Sequence, residues 1–320
     1  MFKRDVTRNE LMVSQLPTDA GASEETTMLI DYDMPLWRPP SEANSFILQA
    51  TLGCSFNRCS FCSMYRTKSF AIRPLDAVTA DIQAVARRYP DTRRVFLADG
   101  DALAAPTAHL LTILESLHAV FPGLERVSSY ALPANLLKKS VEELAPLREG
   151  GLTLLYYGIE TGSADLLKRI TKGATPEAMI TGLTKAKQAG LILSATMILG
   201  LGGQAYWREH IDATADLVNQ VELDYLSTLQ LMIDPSIHEE FHRKFRETFQ
   251  EQDDRALLLE QARLLERLNP PKPLVFRSNH ASNALALAGT LSLDRERLLA
   301  QLQQALAGRT RLRPEWLRGY

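Results

Sequence analysis

Cys54, Cys59 and Cys62 are the three cysteines of this 320-residue chain, and all fall within nine residues in the stretch LGCSFNRCSFCSMY. An odd number packed so tightly is no disulfide framework; it is the pattern of a metal or cluster site. The spacing of Cys59-Ser60-Phe61-Cys62 lets adjacent thiolates turn toward one centre. Three thiolates can hold three irons of a [4Fe–4S] cluster and leave the fourth iron without a protein ligand, whereas an electron-transfer cluster usually has four. An open iron implies chemistry. Two other readings compete: a zinc ion borrowing a fourth ligand from one of the six histidines, and buried thiols that bind nothing.

Such a loop needs a scaffold, and the rest of the chain supplies a regular one. Residues 1–40 mix charges, Pro17, Gly21 and Pro39-Pro40 without sustained periodicity and read as an extension, with Tyr32 and Trp37 suited to packing on the body. Short apolar runs then alternate with helical patterns. Strands are expected at Phe46–Thr51, Arg94–Ala98, Arg126–Tyr130, Thr153–Gly158, Leu191–Ile198 and Asp224–Leu231. Between them, helices are expected from Pro74 to Tyr89, over Thr107–Val120 and Val141–Arg148, from about Ala164, over Pro176–Ala189 and over Trp207–Asn219. Right-handed crossovers make this a parallel sheet covered by helices and curling toward a barrel. The expected fold is therefore α/β, a partial (β/α)6 TIM-like barrel over 41–232. Residues 233–320 follow as a helical C-terminal cap, with a striped helix at Asp254–Leu268, an extended PLVFRS and a last helix from about Asp294 to Leu306. That cap is the expected lid on the open side.

Composition narrows the class. Hydrophobic residues make up 45% and charged residues 23%, as in ordinary globular proteins, and a net charge of −2 leaves no overall electrostatic footprint for nucleic acid. MFKRDVTRNE lacks the apolar core of a signal peptide, and the longest apolar run, Leu191 to Leu201, falls short of a membrane span. A cytosolic protein is expected, with its thiols reduced.

In a parallel barrel the loops leaving the C-terminal strand ends collect on one face, where function sits. Those positions here carry the cysteines, Asp99-Gly100-Asp101, Asn135, Glu160, the run Gly200 to Gly203, and Gln230. Each also has a plain reading: Asp-Gly-Asp as a turn, Asn135 as a helix cap, Glu160 as a turn into a helix capped by Ser163, and the glycines as a flexible loop. Tyr130 ends the third strand and could relay a hydrogen atom or simply pack. Arg277, Asn279, His280 and Asn283 form a polar run after PLVF that suits a loop over the barrel mouth or a solvated surface. His210 and His238 need no function.

Taken together and in order, these features resemble the radical S-adenosylmethionine (radical SAM) superfamily. The strand-like FILQAT, Gly53 and a cysteine loop with Phe61 before its last cysteine are similar to that family's cluster loop, although the usual spacing is three residues then two and here it is four then two. Ala98 to Asp101 stands where the family more often has Gly-Gly-Glu; YYGIETGS (156–163) and ATMILGLGG (195–203) are the other likenesses, and the resemblance covers roughly 41–232. It implies a [4Fe–4S] cluster on Cys54, Cys59 and Cys62, with the open iron chelating the amino and carboxylate groups of S-adenosylmethionine. Asp99, Gly100, Asp101, Asn135, Glu160, Ile198, Gly200 and Gln230 would then contact the cofactor, and Phe61 would lie near its adenine. Also implied are an external donor such as flavodoxin or ferredoxin, reductive cleavage to a 5′-deoxyadenosyl radical, and hydrogen abstraction from a small-molecule or peptide substrate. Tyr130, Arg277 and His280 are the candidate groups facing that substrate. The alternatives are a radical SAM methyl- or sulfur-transferase acting on RNA and, from another class, a zinc- or nucleotide-binding module.

Overall fold

The computed structural model describes residues 30–246 and 248–319; most of the expected N-terminal extension lies outside them. Strand β1 (Phe46–Gln49) is followed by β2 (Thr51–Leu52), which pairs antiparallel with β3 (Ala71–Ile72) and pins both ends of the cysteine loop. Then come α1 (Leu75–Arg88), β4 (Arg94–Ala98), α2 (Thr107–Val120), β5 (Arg126–Ala131), α3 (Pro133–Lys138), α4 (Val141–Glu149) and β6 (Leu152–Glu160). The alternation continues with α5 (Ala164–Arg169), α6 (Pro176–Gln188), β7 (Ile192–Leu199), α7 (Gly203–Val218) and β8 (Tyr225–Gln230). After α8 (His238–Phe245) and α9 (Asp254–Arg267) the chain adds β9 (Val275–Ser278), β10 (Leu287–Thr290) and α10 (Leu291–Leu306).

The helix starts are set by local chemistry. Ser140 and Glu143 form a reciprocal capping box on α4, Thr175 caps α6 with Pro176 in its first turn, and the Asp253 carboxylate accepts from the Ala256 amide at 2.8 Å to open α9. Each such cap supplies an acceptor for an amide that the helix leaves unpaired.

The main sheet has the order β1-β4-β5-β6-β7-β8-β9-β10, parallel as far as β9, with β10 returning antiparallel. Since β1 and β10 are its two edges, the barrel is partial, as expected. Strand alternation divides its side chains between two faces. Leu48, Leu97, Val127, Leu155, Leu193, Leu226 and Phe276 face the helices and form the large core. Ile47, Phe96, Leu154 and Tyr156 line the concave side, with Tyr130 and Ile192 packed against them.

The C-terminal segment, expected as a helical cap, extends the sheet. The extended PLVFRS is β9, which pairs with β8, and the sheet gains β10 as well. Helix α9 joins the outer helix layer beside α7, where Arg263 grips Asp212 through two hydrogen bonds of 2.7 and 2.6 Å. The part that meets the cysteine loop is α8: Phe241, Phe245 and Phe249 cluster with Ile198, Leu201 and Ile170, and Phe61 packs on that cluster. Lys244 donates to the Arg58 carbonyl at 3.2 Å, and Arg66 pairs with Glu240 at 3.4 Å. Glu260 and Gln261 turn inward from α9 and Gln252 from the segment before it, and all three side chains find partners at strand ends or loops beneath the helix.

Candidate functional site

The cysteine loop sits at the C-terminal end of β1 and is braced from three sides. Its Gly53 amide donates to Asp99 Oδ2 at 2.9 Å, the Asn57 side chain donates to the Tyr65 carbonyl at 2.7 Å, and the Ser60 amide reaches the Ile170 carbonyl at 2.9 Å. Gly173, at φ +73°, leaves room for Phe56; a β-carbon there would lie 2.4 Å from the Phe56 ring. Gly100 does the same for Tyr65, whose ring would be 2.5 Å from an added β-carbon. The longer interval between Cys54 and Cys59 is therefore an ordered turn, anchored by Asn57 and packed through Phe56.

All three thiols are partly buried. Burial raises each pKa, that of Cys59 to about 12, because a thiolate loses hydration there. Lys172 opposes the shift at all three, so its ammonium lies within electrostatic reach of the whole triplet. Among the described residues, no three His, Cys, Asp or Glu side chains converge on a point that one metal ion could occupy. Cys59 feels the charge of both other thiols and Cys62 that of Cys54, so the three lie within electrostatic reach of one another, as ligands of one cluster must. The donor set fits the cluster.

Asp99 and Asp101, two residues apart and both buried, have different surroundings. Asp99 Oδ1 accepts from Gln49 at 3.0 Å, and Oδ2 accepts from Gly53 and from Lys68, the latter at 2.6 Å. Lys68 also pairs with Asp33 at 3.1 Å. Asp99 is thus a brace between the cysteine loop and the N-terminal segment, with every face of its carboxylate in use. Asp101 Oδ2 accepts from Ser55 of the cysteine loop, while Oδ1 is buried without a hydrogen-bond partner. Burial lifts its pKa to about 6, against the lowering effect of Ser55 and of nearby Asn135. Asn135 itself caps α3, accepting from the Leu132 amide at 2.7 Å. The orphaned Asp101 oxygen, beside Cys54, is an acceptor ready for an amino group.

Glu160 ends β6 at φ +62°, after a register shift in its pairing with β7. Its Oε1 accepts from Lys172 at 2.7 Å, and both side chains are nearly buried. Burial disfavours the Lys172 ammonium, but Glu160 and the thiols outweigh that and raise its pKa. Gly158 makes the pair possible, since a β-carbon there would lie 1.9 Å from Glu160 Oε1. Lys172 is the functional candidate that sequence reasoning missed; its signal was a lone Thr-Lys-Gly between two short helices. Glu260 is the other. Its Oε2 accepts from the Gly200 amide at 2.7 Å, Gln252 donates to its other oxygen, and burial raises its pKa to about 8. The available signal was a glutamate beside the apolar stripe of α9.

The remaining candidates are less concentrated. Ile198 turns its side chain into the cluster around Phe61 and gives its carbonyl to His210 at 2.9 Å, while burial lowers the His210 pKa to about 4 and keeps that ring neutral. The Gln230 amide donates to Ser282 at 3.2 Å, which ties the polar run to the end of β8. Tyr130 stacks edge-on against Phe96 with centroids 5.1 Å apart, and burial raises its pKa, with Tyr156 and Cys62 adding to the effect. Arg277 belongs to β9 rather than to a loop, and exposes its guanidinium on the concave side beside Tyr225. His280 lies in the loop that follows, hydrogen-bonded to Ser282 at 2.9 Å, with its pKa lowered by burial and by Arg313. The structure thus gathers the cysteines, Asp101, Glu160 and Phe61 at one end of the barrel and sets Arg277 and His280 on its β8–β9 side.

A mostly parallel partial barrel with a cysteine triplet at the C-terminal strand ends defines the class. Residues 48–218 match the radical SAM superfamily, and the chain belongs to it. It is accordingly a radical SAM enzyme whose cofactors are a [4Fe–4S] cluster and S-adenosylmethionine. The heme chaperone HemW of Bacillus subtilis (strain 168) is 24% identical over 147 residues, covering 46% of this chain and 38% of HemW. An uncharacterized methyltransferase of Pyrococcus horikoshii is 28% identical over 181 residues, 56% of this chain and 38% of that protein. The chain thus matches well under half the length of these relatives. Among solved structures, the coproporphyrinogen III oxidase HemN from Escherichia coli superposes with a TM-score of 0.54 at 17% identity, over 69% of this chain and 50% of that one. The methyltransferase TsrM from Kitasatospora setae, with cobalamin and a [4Fe–4S] cluster bound, gives 0.53 at 15% identity, over 82% and 61%. At such identities the likeness is one of fold. Among the described residues no helix is long and apolar enough to cross a membrane.

Proposed function

We propose that Cys54, Cys59 and Cys62 each hold one iron of the cluster, and that the enzyme cleaves S-adenosylmethionine reductively to abstract hydrogen from an organic substrate. The observation that carries this reading is the placement of three partly buried thiols, within electrostatic reach of one another, beside an unpartnered carboxylate oxygen of Asp101 and the Glu160–Lys172 pair. When bound, the reduced cluster and S-adenosylmethionine supply a 5′-deoxyadenosyl radical, the hard chemistry of the reaction. The chain's own residues bind and shield. Asp101 Oδ1 accepts from the amino group of S-adenosylmethionine, and Glu160 accepts from a hydroxyl or amino group further along it. Phe61 and Ile198 give the adenine an apolar surface, and Gly200 lets the backbone come close. Lys172 holds Glu160 in place and offsets negative charge on the thiolates. Tyr130, in the concave wall within electrostatic reach of Cys62, faces the substrate side. Residues 41–232 form the core unit, 1–40 an extension, and 233–320 supply substrate contacts from β9 and the loop after it. The setting is cytoplasmic, with a flavodoxin or ferredoxin as electron donor.

Anaerobic reconstitution with iron and sulfide, followed by reduction in the presence of S-adenosylmethionine, tests the reading. About four irons per chain and the appearance of 5′-deoxyadenosine are expected; zinc without iron overturns it. Methyl transfer is the second reading, favoured by the methyltransferase among the relatives. It would yield S-adenosylhomocysteine in proportion to methylated product.

A further inference from the structure

The concave wall formed by β6 to β9 carries an arrangement that cofactor binding does not use. Strand register places Gly158, Thr196, Ser227 and Arg277 in one row across four parallel strands. One row below it run Tyr156, Ser194 and Tyr225. Residues in register on parallel strands point to the same side, and the side is fixed by the neighbours. Leu226 and Phe276 enter the helix-facing core and Ser278 bonds to Gln261 of α9 at 2.5 Å, so Ser227 and Arg277 face the concave side. The Arg277 guanidinium lies 5.8 Å from the Tyr225 ring on that side, as the register requires.

This wall has donors and no acid. Among the described residues Arg277 has no carboxylate within ion-pairing distance, and the Ser194, Thr196 and Ser227 hydroxyls make no hydrogen bond within the chain. The nearby carboxylates are taken: Glu160 by Lys172 at 2.7 Å, and Asp224 by Lys187 and the Leu193 amide, each at 2.8 Å. Another cation, Arg126 on β5, is paired with Glu42 at 2.8 Å. An uncompensated guanidinium at the end of a row of small hydroxyls, at the height of Gly158 and so just below the Glu160–Lys172 pair, is a receptor for an oxyanion. The planar fork of arginine suits two oxygens at once, and the Ser227 and Thr196 hydroxyls, one and two strands away, can donate to the same group or its neighbours.

We propose that the substrate of this enzyme carries an oxyanion, a carboxylate or a phosphate ester, and that Arg277 binds it with help from Ser227 and Thr196. The proposal rests on the radical-enzyme reading above, for it places the anion in the barrel where the reacting carbon must be held. Ala288 offers an independent handle. It stands opposite Arg277 in the β9–β10 pair and is likewise exposed, so Ala288→Glu puts a carboxylate beside the guanidinium and occupies it from within.

The test is retention of small molecules by the reconstituted enzyme, mixed anaerobically with S-adenosylmethionine and a cell-free metabolite extract but no reductant, then ultrafiltered and read by mass spectrometry. Wild-type protein should retain compounds that lose carbon dioxide or release phosphate on fragmentation, which tells the two sources apart. Arg277→Gln and Ala288→Glu should each lower that retention about tenfold or more, the loss of one charge-assisted contact. Equal retention by the three proteins, retention confined to neutral or cationic compounds, or no selective retention at all overturns the proposal. So does loss of S-adenosylmethionine itself by Arg277→Gln, which would assign the anion to the cofactor. Failure of the underlying reading is recognised separately, by absence of 5′-deoxyadenosine when the wild-type enzyme is reduced without extract.

Discussion

The two flanks of the barrel handle polar groups in opposite ways. On the flank of β1, β4, β5 and β6, buried charges are satisfied by the chain itself. Asp99 accepts from Gln49, Gly53 and Lys68, and Glu42 accepts from Tyr156 at 2.5 Å, from Arg126 at 2.8 Å and from Ser45. On the flank of β7, β8 and β9, hydroxyls and a guanidinium face the concave side with no hydrogen-bond or ion-pair partner among the described residues. A buried ion with no partner would be costly, so the first flank must be complete before any ligand arrives, and it holds the cysteine loop in one position. The second flank is more open, with Arg277 exposed and Thr196 and Ser227 half-buried, and can leave its donors to water until a substrate replaces it. One side is built to hold and the other to receive. Asp101, just after β4, is the exception on the first flank, with one oxygen engaged by the loop and the other unpartnered.

The most severe way to break this division is at the cysteines. Cys54→Ala, Cys59→Ala or Cys62→Ala should abolish both stable iron incorporation and cleavage of S-adenosylmethionine, while far-UV circular dichroism stays that of the wild type, because the main braces, at Gly53, the Asn57 side chain and Ser60, do not pass through the thiols and only the Asn57 amide, 3.5 Å from Cys54 Sγ, reaches one. Full iron content with normal cleavage in any single variant would remove that residue from the ligand set.

Next in size are changes to the brace. Asp99→Ala leaves the Lys68 ammonium, 3% exposed, with only the half-exposed Asp33 as partner and should destabilise the fold by about 3 kcal/mol. Asp101→Asn should cost the fold no more than about 1 kcal/mol, since it sheds a poorly hydrated charge along with one hydrogen bond. Chemical denaturation of the two variants measures the contrast, and equal losses would dissolve the distinction between the two aspartates.

Smaller in effect is the edge of the site. Glu160→Ala should weaken S-adenosylmethionine binding by roughly one to two decades without loss of iron, as expected for a charge-assisted contact of ~1.5–3 kcal/mol. Equilibrium dialysis against the reconstituted protein reads this, and unchanged affinity would confine Glu160 to anchoring Lys172.

The last expected effect, a dependence on pH, lies behind the receiving wall. Glu260 titrates near 8 in the folded chain against an ordinary 4.5, so between those values the native state keeps a proton that the unfolded chain has released. Stability should therefore fall as pH rises through that window and level off above about 8. Glu260→Gln should flatten this part of the profile in thermal melts taken across it. An unaltered slope would show that the buried carboxyl is not the titrating group.

Much of the scaffold was legible because its signals are local. Strand β4 and helix α2 fall at the boundaries that apolar periodicity sets, Arg94–Ala98 and Thr107–Val120. Helix α7 begins at Gly203 rather than Trp207, because two consecutive glycines read as a loop when nothing shows what packs on them; Phe249 and the Gln250 carbonyl lie against Gly203. Strand β10 was not legible: LAGT has a glycine and little β-branching, and forms a strand because the edge of β9 is there to pair with it.

The cysteine count, the βα alternation and the order of polar residues at the strand ends were determined by the sequence alone, because spacing and periodicity act over a few residues and need no knowledge of what lies across the molecule. What each polar residue does was decided only by tertiary structure. Asp99 and Asp101 are the same residue type two positions apart, yet one meets Lys68 and Gln49 while the other keeps an oxygen unpartnered. Lys172 matters because the turn after α5 carries it to Glu160 and within reach of thiols more than a hundred positions earlier in the chain. Such pairings depend on which loops the sheet brings to one end of the barrel, and the energy of a buried charge depends almost wholly on its neighbours there.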